Sequence, residues 1–112
     1  MSVSGTHRTA LWLAIEDYSG LWEVVWELRK LRPDASEAEL RRDAAHAVSA
    51  LVSKGLIELY RCEEPYGELF KIPESEASTV LADPAAWAEP AKGAISVRMG
   101  ATPAGEEAYE AP

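Results

Sequence analysis

The stretch SEAELRRDAAHAVSALVSKGLIELYRC, residues 36–62, decides the fold. It opens with Ser36-Glu37-Ala38-Glu39, a capping box in which the serine oxygen accepts from the Glu39 amide and the Glu39 side chain reaches back. From there Leu40, Ala44, Ala47, Val48 and Leu51 keep to one face at helical spacing. Neither glycine nor proline interrupts them before Gly55, so residues 36–54 are predicted to form one helix rather than two. Gly55 supplies the stop, and Lys54 suits the negative end of the helix dipole. Leu56 to Cys62 then carries the β-formers of a strand, so a long helix passes into a sheet across a single glycine.

Upstream, Leu11, Ala14, Ile15 and Tyr18 repeat at helical spacing, with Trp12 and Leu13 widening the arc, and predict a helix over 6–18. Met1 to Gly5 reads as a frayed, disordered end. Asp17-Tyr18-Ser19-Gly20 breaks the helix, with Ser19 as the expected N-cap of the next one, 20–31. In that second helix Leu21, Val24, Val25, Leu28 and Leu31 form a stripe opposite Glu23, Glu27 and Lys30, and Trp22 and Trp26 lie beside it. Pro33-Asp34 ends it.

Downstream, Glu68 to Ile72 is the expected hairpin partner of the first strand, across residues 63–67. Residues 73–93 form an insertion with a short helix near 75–82 and a second start signal at Asp83-Pro84. Ala94 to Met99 alternates, with Ile95, Val97 and Met99 to one side and Ser96 and Arg98 to the other. Thr102-Pro103 opens a last helix, 103–109. The expected architecture is α+β: N-terminal helices packed on a small antiparallel sheet of two to three strands. Its core would come from Leu21, Val24, Val25, Leu28, Leu40, Ala44, Val48 and Leu51 of the second and third helices, covered by Ile57, Leu59, Phe70, Ile95, Val97 and Met99.

Composition agrees with one globular domain over 1–112: 47% of residues are apolar and 27% charged, which argues against general disorder. Cys62 stands alone, so neither an internal disulfide nor a cysteine-based zinc site can form, and its expected role is a buried small hydrophobe. The apolar run Ala10 to Ile15 is too short for a membrane span or a signal-peptide core, which makes the cytoplasm the default location. Charge divides unevenly. Residues 1–61 hold 8 basic and 9 acidic side chains, while residues 62–112 hold 3 and 10. Such a field repels nucleic acid unless a basic face is segregated, and it favours a basic partner.

The order of three helices, Gly55, hairpin, strand and short helix resembles the bacterial winged-helix domains. Leu51-Val52-Ser53-Lys54-Gly55-Leu56-Ile57 is similar to the point where the third helix of those regulators meets the first wing strand. Ala101-Thr102-Pro103-Ala104-Gly105-Glu106 is similar to the turn after the second wing strand. The chain departs from the family in two ways. Residues 36–54 are too short and too evenly periodic to hold two helices and a turn, so the helix-turn-helix reads as degenerate, and 46 residues separate Gly55 from Thr102, which is an enlarged wing.

The resemblance implies DNA binding through the polar side of helix 36–54, with Arg41, Arg42, His46, Ser49 and Ser53, and Lys54 at its end. Against it, Glu37, Glu39 and Asp43 interleave with the arginines, and Glu63, Glu64 and Glu68 would face phosphates from the hairpin tip. The chain also contains neither Asn nor Gln, which removes the usual adenine contacts. A protein-interaction module is preferred, with Trp22 and Trp26 as an aromatic anchor and either another protein or a second copy, in a homodimer, as partner. Trp12 and Trp87 add to the aromatic excess.

No catalytic residue is expected. His7 and His46 are far apart in sequence, with His7 in the frayed region, and pairs such as Glu63/Glu64 and Glu106/Glu107 look solvent-exposed. The spacing offers no zinc or calcium site, and no cofactor motif is present.

Overall fold

The computed structural model describes residues 5–64, 67–91 and 93–110. In chain order it contains α1 (Gly5–Glu16), α2 (Leu21–Leu31), α3 (Glu37–Ser53), β1 (Ile57–Glu63), β2 (Leu69–Lys71), α4 (Glu74–Ala82), a 3₁₀ turn (Pro84–Trp87), β3 (Ile95–Ala101) and α5 (Pro103–Glu110). The fold is α+β, as the residue patterns indicate.

The rod at 37–53 is unbroken. Ser36 Oγ accepts from the Glu39 amide at 3.1 Å and meets the Glu39 carboxylate at 3.2 Å. Gly55 leaves the helix at a φ of 72°, a left-handed conformation that a side chain would strain. Leu40, Ala44, Val48 and Leu51 are buried against Leu21, Val24, Val25 and Leu28 of α2 and against Leu11 and Ala14 of α1, so three helices share one core.

Helix α1 begins at Gly5, which corrects the frayed end by one residue; Met1 to Ser4 lie outside the described residues. The start of α2 is also corrected. Its N-cap is Gly20, whose amide donates to the Glu23 carboxylate at 2.6 Å. Ser19 instead turns inward, donating its hydroxyl to the Leu13 carbonyl at 2.7 Å. Gly20 is needed for space, because a Cβ there would stand 1.9 Å from the Trp22 ring.

The sheet runs β2-β1-β3 with both pairs antiparallel. Leu59 faces Met99 and Ile57 faces Ala101, and these rows close the core beneath the helices. Farther out, Arg61 lies between Phe70 and Val97, and Glu63 faces Ile95. Val97 stays covered, yet Phe70 is 62% exposed and Ile95 60% exposed, so neither belongs to the core as expected. The alternation of the strands places both residues on the helix side, but the strands overrun the helices. Leu31, at the end of the α2 stripe and outside the expected core, is 65% exposed on the last turn of α2.

The insertion between β1 and β3 is folded onto the same core. Helix α4 packs on α3, and Ala77, Val80, Leu81, Ala86 and Trp87 are buried. Asp83 caps the 3₁₀ turn by accepting from the Ala85 amide at 3.0 Å, and the Trp87 indole donates to the Leu81 carbonyl at 2.9 Å. At the far end Thr102 Oγ1 accepts from the Gly105 amide at 3.0 Å and starts α5. That helix packs on α1, where Arg8 donates to the Tyr109 carbonyl at 3.1 Å. Among the described residues no helix is long and apolar enough to cross a membrane.

Candidate functional site

Helix α3 carries five of the six residues that the resemblance singles out, and its geometry divides them. At 3.6 residues per turn, Arg42, His46, Ser49 and Ser53 share one outward side. Arg42, His46 and Ser53 are exposed there, and Ser49 is half-buried. Arg41 is offset by one residue and lines a cavity with Leu81 and Trp87 of the insertion, with its Nε shut off from solvent. Lys54 follows the helix end and is exposed. Helices α2 and α3 are joined across residues 32–36, so a helix pair separated by a turn does exist, with α3 as its second member.

The cations around this pair are tied to carboxylates. Arg32 Nη1 lies 2.8 Å from Asp43 Oδ2, Arg42 Nε lies 3.3 Å from Asp43 Oδ1, and Arg29 pairs with Glu37. The hydrogen bond from Arg32, aided by Arg42, holds the Asp43 carboxyl below its ordinary range. The Arg29 and Arg32 pairs link the end of α2 to α3, and all three pairs cancel positive charge on the flank where a phosphate backbone would lie.

The two tryptophans of α2 part company. Trp22 is only 8% exposed, packed over Gly20 with the Arg98 guanidinium 5.3 Å from its ring, and is corrected from an interface residue to a packing residue. Trp26, one turn along, is 42% exposed. Trp12 on α1 is 39% exposed. The expected anchor therefore reduces to Trp26. The sequence pattern missed Phe70 and Ile95 as surface residues, because alternation gives the face of a strand without saying where the covering helices end.

A polar clamp lies on the opposite side of the sheet. Arg98 Nε reaches Glu64 Oε2 at 3.2 Å, its second nitrogen meets Glu64 Oε1, and Nη1 donates to the Tyr18 carbonyl at 2.6 Å. Glu64 is therefore largely enclosed and neutralised, which corrects the picture of an open acidic pair at 63–64; Glu63 and Glu68 are exposed. The Arg98 bonds hold the Glu64 carboxyl below its ordinary range. Cys62 is buried, and burial together with the neighbouring Glu64 pushes its thiol up, away from the reactive thiolate. Arg98 and Glu64 are 34 residues apart, and nothing in the chain pattern pairs them.

The fold also brings together two histidines that the sequence leaves apart. His7 sits on α1, not in a frayed end, and lines a surface hollow with Thr6, Asp43, His46 and Ala50. Burial, with Lys54 and His46 nearby, lowers the His7 pKa. Among the described residues no group of three or more His, Cys, Asp or Glu side chains is arranged to hold a metal ion. No protein-family model matches this chain, and neither curated proteins nor solved structures give a significant match.

Proposed function

We propose that this chain is a non-enzymatic, cytoplasmic protein-interaction module built on a winged-helix-like scaffold, with Trp26 as its anchor. The observation that carries this reading is the 42% exposure of Trp26 beside the buried Leu21, Val24, Val25 and Leu28. A tryptophan set at the margin of a rigid helix offers a large contact area at little entropic cost, which is why such residues recur as binding hot spots. Phe70 and Ile95, overhanging the core on the wing, add apolar surface elsewhere. The partner is another protein or a second copy of this chain.

The test is sedimentation velocity across micromolar concentrations, followed by affinity capture with the partner so found. Trp26→Ala should abolish the association while leaving the melting transition in place. Association that survives Trp26→Ala in a folded protein overturns the anchor.

DNA binding is the second reading, favoured by the alignment of Arg42, His46, Ser49 and Ser53 on the outward side of α3. It ranks lower because Arg29, Arg32 and Arg42 are engaged with carboxylates and Arg41 faces the insertion.

A further inference from the structure

Two apolar patches of unlike local charge stand open on this chain: one around Trp26 on α2, the other on the end of the sheet that overruns the helices. We propose that they fit each other, so that Trp26 of one copy seats on the overhanging sheet of a second copy in a head-to-tail contact. This inference rests on the anchor role given to Trp26 and names its occupant.

The overhang forms a platform across all three strands. Phe70 on β2, Arg61 on β1 and Val97 on β3 stand in one cross-strand row, and Glu63 faces Ile95 in the next row on the same side. Phe70 is 62% exposed and Ile95 60%, and Arg61 and Glu63 between them are exposed as well. Two strand spacings, about 10 Å, separate β2 from β3, which leaves room for one flat ring between the two apolar side chains. Arg61 on the central strand offers a guanidinium to the face of that ring.

The charges around the two patches are complementary. One turn beyond Trp26, the Lys30 side chain is 72% exposed, and its pair with Glu27 on the same helix is a surface pair that exchanges partners at little cost. Glu63 supplies the opposite sign beside Ile95. Two copies of a chain with net charge −8 repel unless their contact sets unlike groups together. Laying the Trp26–Lys30 ridge on the Arg61–Glu63 row does so, ring on guanidinium and ammonium on carboxylate.

The topology favours a head-to-tail contact over a symmetric pairing of Trp26 with itself. Helix α2 meets the sheet at the outer edge of β3, through the Gly20–Arg98 bridge, whereas Phe70 is on β2 at the opposite edge. A symmetric contact through Trp26 alone leaves Phe70 and Ile95 bare, while the head-to-tail contact covers all three. Each end of such a pair keeps one unused patch, so growth continues past the dimer or closes into a ring.

The experiment is sedimentation velocity of the whole chain across micromolar concentrations, with circular dichroism to confirm that each variant is folded. Wild type should associate reversibly and past the dimer. Trp26→Ala should sediment as a monomer, and so should the double variant Phe70→Thr, Ile95→Thr, which keeps β-forming residues on the strands. Ile95→Thr alone, on the longer strand, serves as a second platform variant. Mixed in equal amounts, Trp26→Ala and the platform variant should form a one-to-one pair, because each retains the patch the other lacks. Lys30→Glu should weaken association about threefold, and adding Glu63→Lys to it should restore the loss. A monomeric wild type overturns the second copy as occupant, yet leaves the Trp26 anchor standing for a different protein. Association that Trp26→Ala abolishes but the folded platform variants keep overturns the platform alone. Variants that stay monomeric when mixed overturn the head-to-tail contact, and association that survives Trp26→Ala overturns the anchor and this inference together.

Discussion

Replacing Arg98 by Met tests whether the end of β1, the α1–α2 loop and β3 are held by one side chain. Arg98 forks onto Glu64, donates to the Tyr18 carbonyl and lies 5.3 Å from the Trp22 ring. Charge-assisted hydrogen bonds to an enclosed carboxylate contribute about 1.5–3 kcal/mol, the bond to the carbonyl about 1 kcal/mol, and the ring contact about 0.5–1 kcal/mol. Their sum, about 3–5 kcal/mol, agrees with the cost of stranding one member of an enclosed ion pair. The pH dependence has a definite sign. Arg98 depresses the Glu64 pKa, so the contribution of the pair is present above the unfolded glutamate range and is lost as pH falls through the folded value. Without Arg98, the enclosed Glu64 is relieved by taking up a proton. The gap between wild type and Arg98→Met should therefore be widest at neutral pH and narrow on acidification. Urea unfolding followed by circular dichroism at several pH values measures it. A loss under about 1 kcal/mol at neutral pH, or a gap that does not change with pH, would refute the clamp. Adding Glu64→Leu to Arg98→Met should recover part of the loss, since no stranded charge remains.

Three further outcomes follow from the packing. Leu51→Ala, at a fully buried site, should cost about 2–5 kcal/mol, whereas Leu31→Ala on the exposed last turn of α2 should cost under about 0.5 kcal/mol in the same urea assay. Gly105→Ala drives a Cβ to within 2.0 Å of the Leu56 carbonyl oxygen, a backbone atom that cannot swing aside, so α5 should shift and the melting temperature should drop by several degrees; Gly105→Ala melting like wild type would contradict the close approach. Cys62 should react with a thiol reagent only after unfolding, and prompt labelling of native protein would show that the strand pair leaves it accessible.

Local signals read well from this chain where the fold needs only its neighbours. The capping serine at 36, the uninterrupted stripe to Leu51, the glycine stop at 55 and the caps at Asp83 and Thr102 all depend on residues within a few positions. The errors arise where distant segments decide. Ser19 and Gly20 are both credible caps, and the choice falls to Gly20 because the Trp22 ring needs the space and Ser19 is claimed by Leu13. Phe70 and Ile95 obey their periodicity but lie beyond the reach of the covering helices. Residues 37–53 form one unbroken helix, as their even periodicity indicates, and the segment that separates it from α2 precedes it in the chain. The Arg98–Glu64 clamp and the meeting of Arg41 with Trp87 join residues that no short-range pattern links.

Whether α3 serves as a scaffold helix or as a groove reader is tested most directly by a fluorescence polarisation titration against random duplex DNA at low and moderate salt. With Arg29, Arg32 and Arg42 paired to carboxylates and Arg41 facing the insertion, the chain should show no saturable binding at physiological salt. Submicromolar binding that falls steeply with salt, and that Arg42→Ala abolishes, would contradict this and place α3 in a groove.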